Sequence, residues 1–205
     1  EVAVRVSCVR HVYADRTQVH LCGLDFVVER GQRVVILGPN GCGKSTLLAL
    51  ICGDNPRAYG QQVKLFGRLR GSGESVWEIK RRFGIVSNQL HLSYPARTRA
   101  FDVVASGFFD TLGLYDTCGP WQAQLVREWL AVLGLSARAG ERFDALSFGE
   151  QRMMLVARAM VKNPPILILD EPCSGLDEAN RRRVLELIER IGHESRTQML
   201  YVSHE

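Results

Sequence analysis

The sequence has no large excess of either charge and no long apolar run. Of its 205 residues, 23% are charged, and the formal net charge is only +4 with both signs interspersed. Proteins that bind nucleic acid usually concentrate basic residues on one surface, so the composition predicts no DNA or RNA partner. No apolar stretch approaches the length of a membrane span. If the protein acts at a membrane, we expect it to do so through a partner.

Cysteine is present but has no metal-binding pattern. The six cysteines include no CxxC pair and none of the spacings typical of a zinc site. Several occupy apolar or glycine-rich positions, which is typical of reduced thiols in a cytosolic protein. The sequence therefore predicts a cytoplasmic location.

The most informative stretch is a glycine-rich turn between two apolar segments. Residues 34–37 predict a short buried strand, and residues 47–52 predict the start of a buried helix. Glycines let backbone N–H groups approach an anion closely, and the helix start adds its unpaired amides. A strand, a turn ending in Gly-Lys-Ser and a helix are typical of a phosphate-binding P-loop. The predicted loop consists of Gly38, Pro39, Asn40, Gly41, Cys42, Gly43, Lys44, Ser45 and Thr46.

Two side chains at the end of this loop have expected roles. Lys44 would reach the outer phosphates of a nucleoside triphosphate, and the Ser45 hydroxyl would ligate a magnesium ion that bridges them. The alternative is a glycine-rich turn with no ligand. Lysine and serine together, directly after a strand, favour the P-loop.

A second apolar run, residues 166–169, ends in two carboxylates. Ligands of a doubly wound sheet lie beyond the carboxyl ends of its strands, so we expect Asp170 to face the magnesium ion. Glu171 would then accept a proton from the attacking water. The alternative, that both residues only cap the turn at Pro172, is disfavoured by the P-loop. His204 ends the last predicted strand, and the residues alone leave γ-phosphate contact and an incidental position equally open.

The remaining pattern predicts an α/β fold. It comprises a P-loop NTPase core with a mostly parallel sheet, an antiparallel β subdomain and an inserted helical subdomain. Residues 98–135 show helical spacing without strand-like alternation, and Ser147 is placed to cap a helix that runs to about Val161. Strands are predicted at 2–9, 24–29, 63–67, 83–87 and 198–202, and a helix at 178–191. The predicted core is 1–90 with 145–205, and the helical subdomain is 91–144.

These motifs occur in the order found in an ABC-type ATPase domain, which the chain resembles over essentially its whole length. Besides the P-loop and the acidic strand end, they include the pentapeptide Leu-Ser-Phe-Gly-Glu at 146–150, the segment 174–177 and His204. The pentapeptide separates this family from other P-loop NTPases. The resemblance implies ATP and Mg²⁺ as ligands and ATP hydrolysis as the activity. Residues 86–92 and 106–115 resemble a subgroup associated with molybdate transport, whose members often carry two such domains in tandem.

The resemblance also implies roles for individual residues. Ser147 and Gly149 resemble signature residues that contact the γ-phosphate of ATP bound to an opposite domain, so the implied active unit is a head-to-tail dimer. His204 resembles the switch histidine that holds the γ-phosphate and the attacking water. Asp177 resembles the aspartate of a loop that communicates across the dimer interface. Tyr13 resembles the aromatic residue that stacks on adenine, with simple packing as the alternative.

Three positions depart from the family pattern. In the signature, Phe148 replaces the usual glycine and Glu150 replaces the commoner glutamine. Because Ser147 and Gly149 are retained, we expect closure on ATP to be intact, although Phe148 must fit the interface. The magnesium-sensing glutamine falls on Asn88, with Gln89 one place later, so either is a candidate metal ligand. This departure weakens the expected coupling to a membrane partner.

The leading hypothesis is an ATP-hydrolysing domain of a transport system. ATP-driven dimerisation would drive a membrane permease at the inner face of the cell membrane, with molybdate or a related anion as the transported substrate. One alternative is a soluble tandem-type ABC ATPase with a cytosolic role. Another is a regulatory module that binds nucleotide and hydrolyses it poorly, which intact Glu171 and His204 disfavour. The chain is expected to be part of a longer protein.

Overall fold

The computed structural model describes residues 2–12, 19–29, 31–52 and 62–204. In chain order the elements are β1 (Val2–Val12), β2 (Val19–Glu29), β3 (Arg33–Leu37), α1 (Lys44–Cys52), β4 (Gln62–Leu65), β5 (Arg68–Leu69), α2 (Val76–Lys80), β6 (Phe83–Ser87), α3 (Asn88–Ser93), α4 (Ala100–Ala105), α5 (Pro120–Val132), α6 (Phe148–Met160), β7 (Ile166–Asp170), α7 (Glu178–Glu194) and β8 (Gln198–Ser203). Short 3₁₀ turns lie at Ser106–Phe108, Ser136–Arg138 and Phe143–Ala145.

By its internal contacts the chain divides into two compact units. The first contains the described residues up to Arg82 together with those from Gln198 onward, and the second runs from Phe83 to Thr197. The predicted division into a core and a helical subdomain at 91–144 remains a prediction. Tyr13 lies outside the described residues.

The first unit contains the predicted antiparallel sheet. Strand β1 pairs with β2 on one side and β4 on the other, and β4 continues into β5. In this register Val4 lies opposite Leu65 and Val6 opposite Val63, and all four are buried. Because side chains alternate across a strand, these pairs form one apolar face of the sheet.

The strand before the P-loop differs from its prediction. Strand β3 pairs in parallel with β8, but Val35 is 60% exposed and Leu37 is 64% exposed, so the prediction of a buried strand was wrong. Side chains on successive residues point to opposite faces, and Val34 and Ile36 are only half-buried. An unbroken apolar run indicates a strand but does not show that both of its faces are covered.

The second unit has a buried parallel pair and the helices around it. Strands β6 and β7 run in register from Phe83 opposite Ile166 to Ser87 opposite Asp170. Helix α6 packs closely on β6, since a Cβ at Gly84 would lie 2.6 Å from the backbone oxygen of Ala159. The strands and long helices predicted for this part of the chain are confirmed.

Two short helices were not predicted. Helix α2 begins after Ser75, whose side chain and that of Glu78 form a reciprocal capping box. A serine followed three residues later by a glutamate is a recognised start signal, so the sequence contained enough to predict this helix. Helix α3 follows β6 without a break and begins after Ser87, which caps the N–H of Leu90 at 3.1 Å.

We predict that Gly107→Ala destabilises the second unit. A Cβ at Gly107 would lie 2.0 Å from the backbone oxygen of Arg158 in α6, so the helix must shift. Overpacking of this kind costs about 1–3 kcal/mol of the free energy of unfolding, measured by urea denaturation. Gly140→Ala is the matched control, because its Cβ would meet nothing within 4 Å. Equal stability of the two variants would contradict the close packing.

Candidate functional site

The P-loop has the backbone that its glycines allow. Gly41 has a φ of 81° and Gly43 a φ of 103°, a region in which other residues are strained. Helix α1 begins directly afterwards at Lys44, and its apolar residues are buried. The first N–H groups of a helix have no partner within it, so the loop and the helix start together present donors to an anion.

Lys44 is folded over this loop. Its side-chain Nζ donates to the backbone oxygens of Gly38 and Pro39, the second at 2.9 Å, and the residue is only 9% exposed. A nearly buried ammonium group requires acceptors, and charged phosphate oxygens are stronger acceptors than neutral carbonyls. The loop therefore fits a polyphosphate. Ser45, in the first turn of α1, is exposed and free to reach a metal ion bound to such a ligand.

The parallel pair of β3 and β8 in the first unit brings His204 to the start of the P-loop. In the parallel pairing of β3 and β8, Leu37 is the register partner of Ser203. Gly38 follows the first of these residues and His204 follows the second, so both leave the same carboxyl edge. His204 is exposed there. This edge is where a doubly wound sheet binds its ligands.

In the second unit, the acidic pair Asp170 and Glu171 lies at the carboxyl ends of the parallel strands β6 and β7. Asp170, the last residue of β7, is the register partner of Ser87, the last residue of β6. Glu171 follows with a φ of 49°, a left-handed conformation that is unfavourable for a residue with a Cβ. Such conformations cost of order 1–3 kcal/mol and cluster at functional sites. The candidate base is thus held in a strained turn directly after β7.

The two glutamine-loop candidates differ in their surroundings. Asn88 and Gln89 are the first two residues of α3. The Asn88 side-chain oxygen accepts a hydrogen bond of 3.3 Å from Nη2 of Arg152, and both Asn88 and Gln89 are exposed. An oxygen that accepts from a guanidinium is less available to a cation, and both residues remain candidate metal ligands.

Ser147 and Gly149 lie at the start of α6. Ser147 is the N-cap, as predicted: its Oγ accepts from the N–H of Glu150 at 3.3 Å. Gly149 packs tightly against α7, since a Cβ there would lie 2.2 Å from Oδ1 of Asn180. Asn180 in turn donates its N–H and side-chain amide to Asp177, at 2.8 and 2.7 Å. The first turns of α6 and α7 therefore fix each other.

Phe148 connects three segments of the second unit. Its ring stacks on His91 of α3 with centroids 4.4 Å apart, and the guanidinium of Arg152 lies 5.6 Å from the ring centre. A Cβ at Gly175 would lie 3.4 Å from the Phe148 ring. The aromatic replacement in the signature is thus supported by packing, although Phe148 remains 40% exposed.

His91 and Arg152 are buried polar residues that sequence reasoning missed. Nε2 of His91 is 2.7 Å from Oε1 of Gln151, and Nδ1 has no hydrogen-bond partner within the described residues. Arg152 is fully buried, and burial lowers its pKa, an effect opposed by the Cys173 thiol. An arginine inside a helical pattern is normally predicted to face solvent, so no sequence signal marked this one.

Within the described ranges, no three histidine, cysteine, aspartate or glutamate side chains converge on a possible metal site. A magnesium ion held largely by nucleotide phosphates needs only one or two protein ligands, so this result leaves the predictions for Ser45 and for Asp170 open. None of the helices in these ranges is long and apolar enough to cross a bilayer.

Comparisons with known proteins agree with this geometry. The sequence profile described as "ABC transporter" matches residues 21–174. The chain is 45% identical to the ABC transporter ATP-binding protein ModF of Escherichia coli, over 94% of this chain but 39% of that protein. It is 35% identical to the uncharacterised ABC transporter ATP-binding protein YlmA of Bacillus subtilis, over 86% of this chain and 67% of that one. The chain therefore spans well under half of ModF and about two thirds of YlmA.

Two further comparisons concern fold and transport. The dimeric ATP-binding cassette MJ0796, in a post-hydrolysis state bound to ADP and Pi, matches with a TM-score of 0.80 and 25% identity, over 98% of this chain and 88% of that one. The zinc transport system ATP-binding protein TroB of Treponema pallidum is 31% identical over 99% of this chain and 73% of that protein. The predicted α/β P-loop NTPase fold is confirmed by these likenesses.

We predict that His91 makes stability depend on pH. Burial lowers the pKa of His91, and nearby Arg152 lowers it further, against the opposing effect of the Gln151 hydrogen bond. The unfolded chain takes up a proton near pH 6.5 while the folded chain resists it. The free energy of unfolding therefore falls as the pH drops below about 6.5.

His91→Phe keeps the stack on Phe148 but removes the titration, so its unfolding free energy should fall less between pH 7.5 and 5.5. Urea denaturation at each pH measures this difference. Loss of the hydrogen bond to Gln151 changes the unfolding free energy of the variant by the same amount at every pH, so it does not alter the comparison. Exposed His193 of α7 provides the control His193→Gln. If the unfolding free energies of wild type and His91→Phe fell equally between pH 7.5 and 5.5, His91 would be excluded as the source of the pH dependence.

Proposed function

This chain is an ATPase domain of the ABC transporter family, and on that premise we propose that it binds ATP with Mg²⁺ and hydrolyses it in a site shared with a second such domain. The observation that supports this most strongly is the P-loop, with two positive-φ glycines and a nearly buried Lys44 aimed at its carbonyls. The ATP-binding residues would be Tyr13 and the loop from Gly38 to Thr46.

Hydrolysis would use the acidic pair and His204. Glu171 would accept the proton of the attacking water from its strained position directly after β7. His204 would contact the γ-phosphate, and Lys44 would stabilise the charge that develops on it. A bound Mg²⁺ would supply positive charge to neutralise the phosphates. Ser45, Asp170 and either Gln89 or Asn88 would hold it.

The second domain would supply Ser147 and Gly149. These residues begin α6, a helix of 13 residues whose start is fixed against α7. Unpaired amides at such a start favour an incoming phosphate. Two chains arranged head to tail would each complete the other's site. The dimeric state named for MJ0796 supports the arrangement by analogy.

For the whole protein, we propose a transport system in which ATP-driven dimerisation acts on a membrane permease from the cytoplasmic side. The similarity to ModF supports molybdate or a related anion as the substrate, and TroB shows that relatives of this chain also occur in zinc transport systems. The alternative is a tandem-type ABC ATPase with a cytosolic role, which the replacement of the usual glutamine by Asn88 favours.

Co-purification separates these two functions. A tagged full-length protein from solubilised membranes should retain an integral-membrane partner if it drives transport. A Lys44→Ala variant made in parallel shows whether retention depends on ATP. Recovery of the protein only from the soluble fraction, with no integral-membrane partner, would favour the cytosolic role.

We predict that Glu171→Gln stops turnover while ATP binding survives. Removing a general base costs about 10²–10⁴-fold in kcat, whereas the P-loop is unchanged. The variant should therefore accumulate as an ATP-bound dimer, measured by phosphate release and by light scattering with ATP and Mg²⁺. Exposed Glu186 of α7 provides the matched control Glu186→Gln. Undiminished hydrolysis in Glu171→Gln would remove Glu171 from the mechanism.

A further inference from the structure

Glu150 places a negative charge at the start of α6. It is the third residue of that helix, beside Ser147 and Gly149, which the proposed function assigns to the γ-phosphate of another domain's ATP. A carboxylate favours a helix start in the free chain, because it complements the helix dipole. The same charge opposes an incoming phosphate unless a cation compensates for it.

The carboxylate of Glu150 is held in one orientation. Its Oε2 accepts the backbone N–H of Ser147 at 2.7 Å, and Nη1 of Arg138 donates to both Oε1 and Oε2 at 2.8 Å. The Glu150 side chain is only 16% exposed. Burial acts to raise the pKa of Glu150, but hydrogen bonds from Ser147 and Arg138 outweigh it and lower the pKa. Glu150 is therefore charged, and its carboxylate is held between Ser147 and Arg138.

Arg138 is anchored independently of α6. Its Nε and Nη2 donate to Oε2 of Glu141 at 3.0 and 2.8 Å, and Nη2 also donates to the backbone oxygen of Ala145 at 2.9 Å. Isolated surface pairs contribute little because both side chains move freely. Here every nitrogen of the guanidinium has an acceptor, so the cation is preorganised at Glu150.

We propose that Arg138 is a positioning residue that compensates for Glu150 and holds its carboxylate against Ser147, so that the start of α6 accepts the γ-phosphate of the second domain's ATP. This inference rests on the proposed function. In this role Arg138 acts through Glu150 and not directly on the nucleotide. At position 150 the commoner residue of the family pattern is a neutral glutamine, which forms the same cap without a charge. Here the charged pair of Glu150 and Arg138 takes its place.

That replacement provides a direct test of the charge. In Glu150→Gln the capping hydrogen bonds persist and the negative charge is gone, so Arg138 is no longer required. A purely structural Arg138, which only ties Glu141 and Ala145 together, would be required whether residue 150 is glutamate or glutamine. The two roles therefore predict opposite results for the double variant.

The experiment measures the ATP concentration, with Mg²⁺, at which half of the full-length protein dimerises, using the Glu171→Gln background to prevent hydrolysis. Adding Arg138→Ala should raise this concentration roughly tenfold. Adding Glu150→Gln as well should return it to within about twofold of the background. Affinity of the monomer for a fluorescent ATP analogue should stay unchanged throughout, because the P-loop is untouched.

Arg142→Ala is the matched control. Arg142 lies four residues further along, pairs with Asp144 and is 53% exposed in its side chain, but the pair does not involve α6. Arg142→Ala should leave unchanged the ATP concentration at which half of the protein dimerises. Both Arg138→Ala and the double variant lose the hydrogen bonds from Arg138 to Glu141 and Ala145. Thermal unfolding of the two variants measures the stability that this loss costs.

Three outcomes overturn the inference. If Arg138→Ala dimerises at the same ATP concentration as the Glu171→Gln background, the charge of Glu150 needs no compensation. A double variant as weak as Arg138→Ala shows that the loop anchors, and not the charge, are responsible. If the background itself binds the ATP analogue but never dimerises, the shared site of the proposed function fails, and the role of Arg138 fails with it.

Discussion

The first turn of α6 must satisfy its own backbone and still leave amides for a ligand, and the proposed site depends on this balance. Ser147 and Glu150 satisfy the cap between them. Gly149 allows α7 to approach so closely that any side chain there would collide with Asn180. Phe148 packs on His91 of α3. A helix start fixed in these ways loses little entropy when it binds a phosphate.

Strand register explains why motifs far apart in sequence belong together. In the first unit, the parallel pairing of β3 with β8 places Gly38 and His204 at one edge. In the second, the pairing of β6 with β7 places Asn88 and Glu171 at one edge. Each pair follows directly from register partners, so within each unit backbone hydrogen bonds, rather than side-chain contacts, bring the two motifs to one edge.

Much of this could be predicted, because the informative signals are local. The P-loop, the cap at Ser147 and the apolar strand before Asp170 each depend on neighbouring residues, and all three elements form as predicted. The pairing of Arg138 with Glu150 spans 12 residues and a change of element, and nothing in the spacing marks it. The burial of Arg152 contradicts ordinary expectation for arginine.

The exposure of β3 shows a different limit. Its apolar residues indicated the strand correctly, but burial depends on which elements cover each face, and that is a property of the tertiary structure. The hydrogen bond between Arg152 and Asn88 is likewise a tertiary contact that the spacing of Asn88 and Gln89 does not indicate. Long-range polar contacts, rather than secondary structure, are what the sequence left unpredicted.

Complementation between two inactive chains tests the shared site most directly. Lys44→Ala retains its signature and Ser147→Arg retains its P-loop, so each homodimer has two defective sites, while a mixed dimer has one complete site. ATP hydrolysis should be negligible for either variant alone and recover in an equimolar mixture to roughly a quarter of the wild-type rate, the share of sites made complete by random pairing. A mixture as inactive as its components would contradict a site completed by a second chain.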